Sequence, residues 1–270
     1  MGTILRHPAV AGQFYPRDPV ALFAEVQSYT LPSTEPSAAL GCVVPHAGYI
    51  YSGRVAGAVY SRLALPDRYI LMCPNHTGRG TPLSIMSQGD WETPLGKVPI
   101  DREIAESLKE RFALLTEDEN AHSTEHAAEV QLPFLQVRVP SFRFVPIAVG
   151  TSHYEALEGL GEAIAEVVAA QAERVLIIAS SDMNHYENDR VTRVKDRKAI
   201  DRILALDPRG LFEVVINENI SMCGFGPTVA MLTAAKLLGA TSAQLIKYAT
   251  SGDVSGDRNM VVGYAGVAVK

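Results

Sequence analysis

The apolar positions of this chain fall into two kinds of run. LGCVV (40–44), RYILMC (68–73), FRFVPIAVG (142–150) and RVLIIAS (174–180) are short and unbroken, the signature of strands buried on both faces. Longer stretches place apolar residues three and four apart and predict helices. These are 18–29, 52–64, 101–113, 154–172, a charged helix near 190–206, 207–215 and 225–240. Asp18, Asp101 and Asp207 stand where N-caps belong, and the glycine of KLLGA closes the last helix as a C-cap. AQLIKYATS (243–251) and MVVGYAGVAV (260–269) read as final strands. LSIMSQ (83–88) and KVPID (97–101) read as a hairpin-like pair around GDWETPLG, residues 1–17 as an extended arm with a turn at GQFYP, and LPSTEPSAA (31–39) as a polar loop.

Buried strands alternating with helices predict an α/β fold with a central, mostly parallel or mixed sheet flanked by helices. No linker, low-complexity tract or repeat divides the chain, so the expectation is a single domain over 1–270. Composition adds exclusions. A net charge of −6 without a basic stripe argues against nucleic acid and anionic membrane surfaces as partners. No apolar run reaches the ~20 residues that span a bilayer. Three widely spaced cysteines, Cys42, Cys73 and Cys223, suit free thiols in a reducing compartment. A cytoplasmic location is expected.

The chemistry gathers where strands end. Ligands of open α/β sheets bind beyond the carboxyl ends of the strands. The run 40–44 exits to Pro45-His46, 68–73 to Pro74-Asn75-His76, and 174–179 to Ser180-Ser181-Asp182-Met183-Asn184-His185. His46-Ala47-Gly48 and His76-Thr77-Gly78 are near copies of one layout. If those strands are neighbours, the imidazoles converge. His153, after 142–149, and His7 read as ordinary loop residues.

Two further segments carry candidate groups. In STEHAAEVQLPF (123–134), Glu125, His126 and Glu129 are spaced to share one face of a helical turn, although carboxylates there also suit a solvated helix start. In MCGFGP (222–227), Cys223 precedes a helix, where the helix N-terminus favours the thiolate; a small buried hydrophobe is the alternative reading. Cys42 and Cys73 lie inside apolar runs and read as core.

PHAGYIYSG, PNHTG, GDWETPLG, STEHAAEVQLPF, SSDMNH, MCGFGP and KYATSGD…YAGVAV together resemble the Memo family, also called AmmeMemoRadiSam system protein B, from AGQFYP to the C-terminus. The resemblance implies a fold like that of class III extradiol dioxygenases. It maps metal positions onto His46, His76 and Cys223, places Asp182 and His185 in the same pocket, and matches His185 to the general base; His126, from its own segment, joins Asp182 and His185 as a catalytic candidate. A cysteine stands where ring-cleaving relatives have a carboxylate. Because class III extradiol dioxygenases are non-haem Fe(II) enzymes, the resemblance makes iron(II) the first expectation, and the softer thiolate leaves copper and zinc open. The implied function is redox, oxygenase-like chemistry on a small substrate. The alternatives are a non-catalytic peptide or phosphopeptide module and a zinc hydrolase.

Overall fold

A computed structural model describes residues 4–30 and 35–270. Residues 1–3 of the expected arm and 31–34 of the expected loop lie outside the described residues. In chain order the elements are β1 (Leu5–Arg6), α1 (Pro19–Tyr29), β2 (Gly41–Val44), α2 (Tyr49–Arg62), β3 (Arg68–Pro74), β4 (Leu83–Ile85), β5 (Asp90–Thr93), β6 (Gly96–Pro99), α3 (Arg102–Arg111) and β7 (Thr116–Glu117). A 3₁₀ turn (Glu129–Gln131) leads into α4 (Leu132–Arg138), then β8 (Arg143–Val149), α5 (Tyr154–Ala169), β9 (Val175–Ser180), β10 (His185–Glu187), α6 (Asp189–Leu204), α7 (Pro208–Asn217), α8 (Phe225–Leu237), β11 (Ala243–Thr250), α9 (Gly252–Ser255) and β12 (Val261–Val269). Asp18, Asp101 and Asp207 cap α1, α3 and α7 as expected, each accepting a first-turn backbone N–H.

The main sheet is mixed, in the order β10-β12-β2-β9-β3-β8-β4-β7, with β11 also paired to β12. Its centre, β2-β9-β3-β8, is wholly parallel, whereas β12 meets β2, β10 and β11 antiparallel. Both faces are covered, which is why the central strands read as unbroken apolar runs. Side chains alternate between two cores. Val43, Ile70, Met72 and Ile177 pack with α3, α5, α7 and α8. Cys42, Val44, Leu71, Cys73 and Ile178 pack with α1, α2 and α4. Among the described residues no helix is long and apolar enough to cross a membrane.

Two local expectations change. The hairpin lies inside GDWETPLG, between β5 and β6, which turn over Pro94-Leu95. The run at 83–85 instead joins the main sheet beside β8. β5 and β6 form a separate three-stranded sheet with β1, which the extended-arm reading did not include. Period-2 patterning identifies strands but not partners, and the buried Trp91 on β5 anchors that hairpin at a second location.

Candidate metal centre

Because β2, β9 and β3 are parallel neighbours, their exits meet at one edge of the sheet, as the sequence predicted. The donor atoms of His46, His76 and Cys223 lie within 4.8 Å of one another. Ligand atoms around one ion held at about 2.0–2.3 Å are separated by distances of that order, so the set fits a single cation. In front of it opens a cavity of about 600 Å³, to which Asp182, His185, His126 and Tyr186 also contribute.

Each donor is held differently. His46 is buried. Its backbone N–H donates to Asp182 Oδ1 at 2.8 Å, and its Nδ1 lies 2.9 Å from Ser180 Oγ. His76 is half-exposed at the rim, and Glu125 grips it twice: Oε2 accepts the backbone N–H at 2.6 Å and Oε1 faces Nδ1 at 2.9 Å. Cys223 Sγ sits 3.2 Å from His46 Nε2 and accepts the Asp182 N–H at 3.3 Å. The glycines around it explain its position. A Cβ at Gly224 would collide with Ser180 O and the Ser181 side chain, so only glycine lets the Cys223 loop lie against the exit of β9. Gly226 similarly faces Val149 and Leu157 at 3.1 and 3.2 Å.

The electrostatics follow from burial. Desolvation, then the neighbouring imidazoles, lower the His46 pKa and keep that ring neutral. Burial also lowers His126 and His185. Burial raises Asp182 to about 7. The Cys223 thiol is the correction: burial, then the Asp182 carboxylate, push its pKa well up and outweigh the helix N-terminus expected to lower it. The thiol therefore keeps its proton, with His46 Nε2 at 3.2 Å and the Asp182 carbonyl at 3.6 Å as acceptors in reach, and a cation must displace it.

The STEHAAEV segment also differs from the shared helical face expected. Residues 123–128 are not helical. Glu125 turns inward to His76, while Glu129 turns the other way to accept from Arg6, Tyr15 and the N–H groups of Ala9 and Val10. Both carboxylates are fully buried, so the solvated helix start is excluded. Burial alone would raise Glu125, but the hydrogen bond and charge of His76, with the Ala127 N–H, hold it below the usual range. His126 stacks on His76 at 4.8 Å and lines the cavity. A second donor group, His76, Glu125 and His126, is also within 4.8 Å. Its carboxylate is already taken by hydrogen bonds, so it supports the first group.

His185 donates from Nδ1 to Ser221 O at 2.8 Å, which leaves Nε2 as a lone pair on the cavity side. Its neighbour Tyr186 was not singled out. It is the extra residue of a bulge between β10 and β12 and has a positive φ of 59°. In a regular strand adjacent side chains face opposite ways; the bulge turns both toward the cavity. Nothing in a tyrosine's identity announces that conformation. His153 stands exposed at the start of α5, and His7 is exposed beside Glu92, as expected of loop residues.

Comparisons with known proteins agree with this architecture. The sequence profile of the Memo-like protein family matches residues 6–268. MEMO1 family proteins of Methanosarcina barkeri and Methanopyrus kandleri are 47% and 46% identical, each over 98% of this chain and 100% and 99% of their own lengths. That of Methanothermobacter thermautotrophicus is 42% identical over 97% of this chain and 99% of its own. Among solved structures, an uncharacterized protein of Escherichia coli K12, JW3007, shares the fold, with a TM-score of 0.57 over 84% of this chain and 98% of that one at 11% identity. The matched span takes in every strand exit that builds the cluster, and on that similarity the chain belongs to the Memo family.

Proposed function

We propose that the cluster holds one transition-metal ion, iron(II), between His46 Nε2, the outer ring nitrogen of His76 and Cys223 Sγ, and serves redox, oxygenase-like chemistry on a small substrate. The observation that carries this reading is the convergence of those three donors within 4.8 Å beneath an open cavity. When bound, such an ion supplies a redox-active Lewis acid with open coordination positions. The chain's own groups do the rest. His185 presents Nε2 to the cavity and accepts a proton from an acidic substrate hydroxyl, a role worth about 10²–10⁴-fold in rate. Asp182 holds the His46 backbone in place and lines the cavity between the donors and His185. His126 and His76 form a stacked imidazole wall. Three free cysteines suit a reducing cytoplasm.

No lysine or arginine among the described residues lines the cavity, so a phosphopeptide would meet only imidazoles and the ion. That favours a small substrate over a phosphopeptide module.

The test is anaerobic purification followed by reconstitution with Fe(II), Cu(I) or Zn(II), reading stoichiometry, spectrum and oxygen uptake. One equivalent of Fe(II), with a thiolate charge-transfer band lost in Cys223→Ser, is expected. Tight binding of zinc alone, with no oxygen uptake, would select hydrolysis. Failure to bind any ion at one equivalent sinks the reading. His185→Ala should abolish turnover and retain the ion; loss of the ion would make His185 a ligand.

A further inference from the structure

Behind His46 runs a chain of buried neutral groups that belong neither to the donor set nor to the cavity lining: Ser180, Gln131 and Tyr60, all fully enclosed. Their hydrogen bonds can be assigned without choice. Pro45 O has only lone pairs, so the Gln131 atom 3.0 Å from it is the amide nitrogen. The other N–H of that nitrogen donates to Ser180 Oγ at 2.8 Å, while Gln131 Oε1 accepts from Tyr60 Oη at 2.9 Å. Ser180 has one hydroxyl proton, and the carbonyl of Ala127, 2.6 Å away, takes it. What remains on Ser180 Oγ is lone-pair capacity, and His46 Nδ1 lies 2.9 Å from it. The only bond left is Nδ1–H donating to Ser180. The alternative, Ser180 donating to His46, would leave a buried carbonyl without a donor, at a cost of about 1–3 kcal/mol.

We infer that Tyr60, Gln131 and Ser180 act as a tautomer lock, holding His46 with its proton on Nδ1 and its lone pair on Nε2, aimed at Cys223. An imidazole in water exchanges tautomers freely, and only the Nε2 lone pair can bind an ion here. Ligating histidines usually get this help from a carboxylate or a backbone carbonyl; here a serine is made into an obligate acceptor by two neighbours that fill its other positions. Ser180 and Gln131 are positioning residues, since neither reaches the cavity side of the ring.

The affinity part of the inference rests on the metal reading; the tautomer part does not, and the experiment separates them. Two-bond ¹H–¹⁵N correlation spectra of metal-free protein labelled at histidine nitrogen report the proton's position on each ring. The expected result is Nδ1–H for His46 in the wild type, with Ser180→Ala and Gln131→Met shifting it toward Nε2–H or a mixture. Zn(II) and Fe(II) affinities of the two variants should fall roughly 10–100-fold. Wild-type His46 carrying its proton on Nε2 overturns the lock. So does either variant, folded by circular dichroism, that keeps both tautomer and affinity. If wild-type protein shows Nδ1–H yet binds no ion, the lock stands and the metal reading falls. Should one variant fail to fold, the wild-type spectrum and the other variant still decide.

Discussion

His46 and His76 point at one place from opposite sides, and the protein prepares them by different means. The inner ring, His46, is buried and backed by neutral groups, a serine, an amide and a phenol. The outer ring, His76, is half-exposed and backed by the buried carboxylate of Glu125. The difference follows from depth. A charge beside the inner ring would have to be paid for in desolvation with no water nearby. At the rim, a carboxylate that accepts three N–H groups is satisfied and its partner ring still reaches solvent. Burial therefore selects neutral support inside and ionic support outside.

The largest expected effect tests that contrast directly. Glu125→Gln replaces one carboxylate oxygen by an amide nitrogen that cannot accept, and leaves a buried donor facing a donor. Leaving buried donors without a charged acceptor costs about 1–3 kcal/mol or somewhat more, and urea unfolding of metal-free protein should show a loss of that order. Ser180→Ala should lose less, since bonds to charged groups are roughly twice as strong as neutral ones. Equal losses would mean that charge contributes nothing extra at the rim.

A second buried carboxylate sharpens the point. Asp196, fully buried on α6, accepts, among the described residues, from the Tyr248 hydroxyl at 2.6 Å and the Asn184 N–H at 2.8 Å. Burial raises it to about 7, despite both bonds and the nearby Arg193 charge. Glu125, with an imidazole beside it, is lowered. The sign follows from linkage. The folded state keeps a proton on Asp196 that the unfolded chain has released above its ordinary value of 3.8. This contribution is complete below about pH 4 and is lost as pH rises through about 7, at up to about 1.4 kcal/mol per pH unit. Asp196→Asn should flatten the stability profile between pH 4 and 7; an unchanged slope would assign the titration elsewhere.

Gly224→Ala probes the third donor. The added methyl meets Ser180 O and Ser181, so the Cys223 loop must shift away from His46. Overpacking of this kind costs about 1–3 kcal/mol. Metal affinity should fall more than stability, because the clash displaces Cys223 and presses on Ser180, the support of the His46 ring. Unchanged affinity would show that Sγ is not needed.

Much of this was legible in the chain and some was not, for identifiable reasons. The strand exits at His46, His76 and Asp182–His185 stood out because buried parallel strands leave unbroken apolar runs, and parallel neighbours must end together. Cys223 stood out through its glycines. What depended on partners was hidden. Glu125 and Glu129 look alike at helical spacing, yet one serves a ring and the other serves Arg6 and the N-terminal segment. Gln131 and Ser180 carry no signal at all, because their role exists only in the bonds they make to each other. The thiol's raised pKa was missed because sequence shows a helix start and does not show depth.

The smallest expected effect lies on the open side of the cavity, where the contrast between inner and outer support ends in backbone strain. Tyr186 has a φ of 59° and a ring that is 69% exposed. A left-handed conformation costs an ordinary residue about 1–2 kcal/mol, and glycine avoids it while losing more chain entropy, about 0.5–1 kcal/mol. With so little of the ring buried, Tyr186→Gly should leave stability unchanged or raise it by up to about 1 kcal/mol in urea unfolding. Metal affinity should not change, because the ring edges onto His185 at 5.6 Å and Tyr186 belongs to neither donor group. A stability gain with intact ion binding would mean that the strain serves only to turn an aromatic wall toward whatever enters the cavity. A clear loss would show that the ring packs as part of the fold, and the open side would then be as rigidly supported as the inner one.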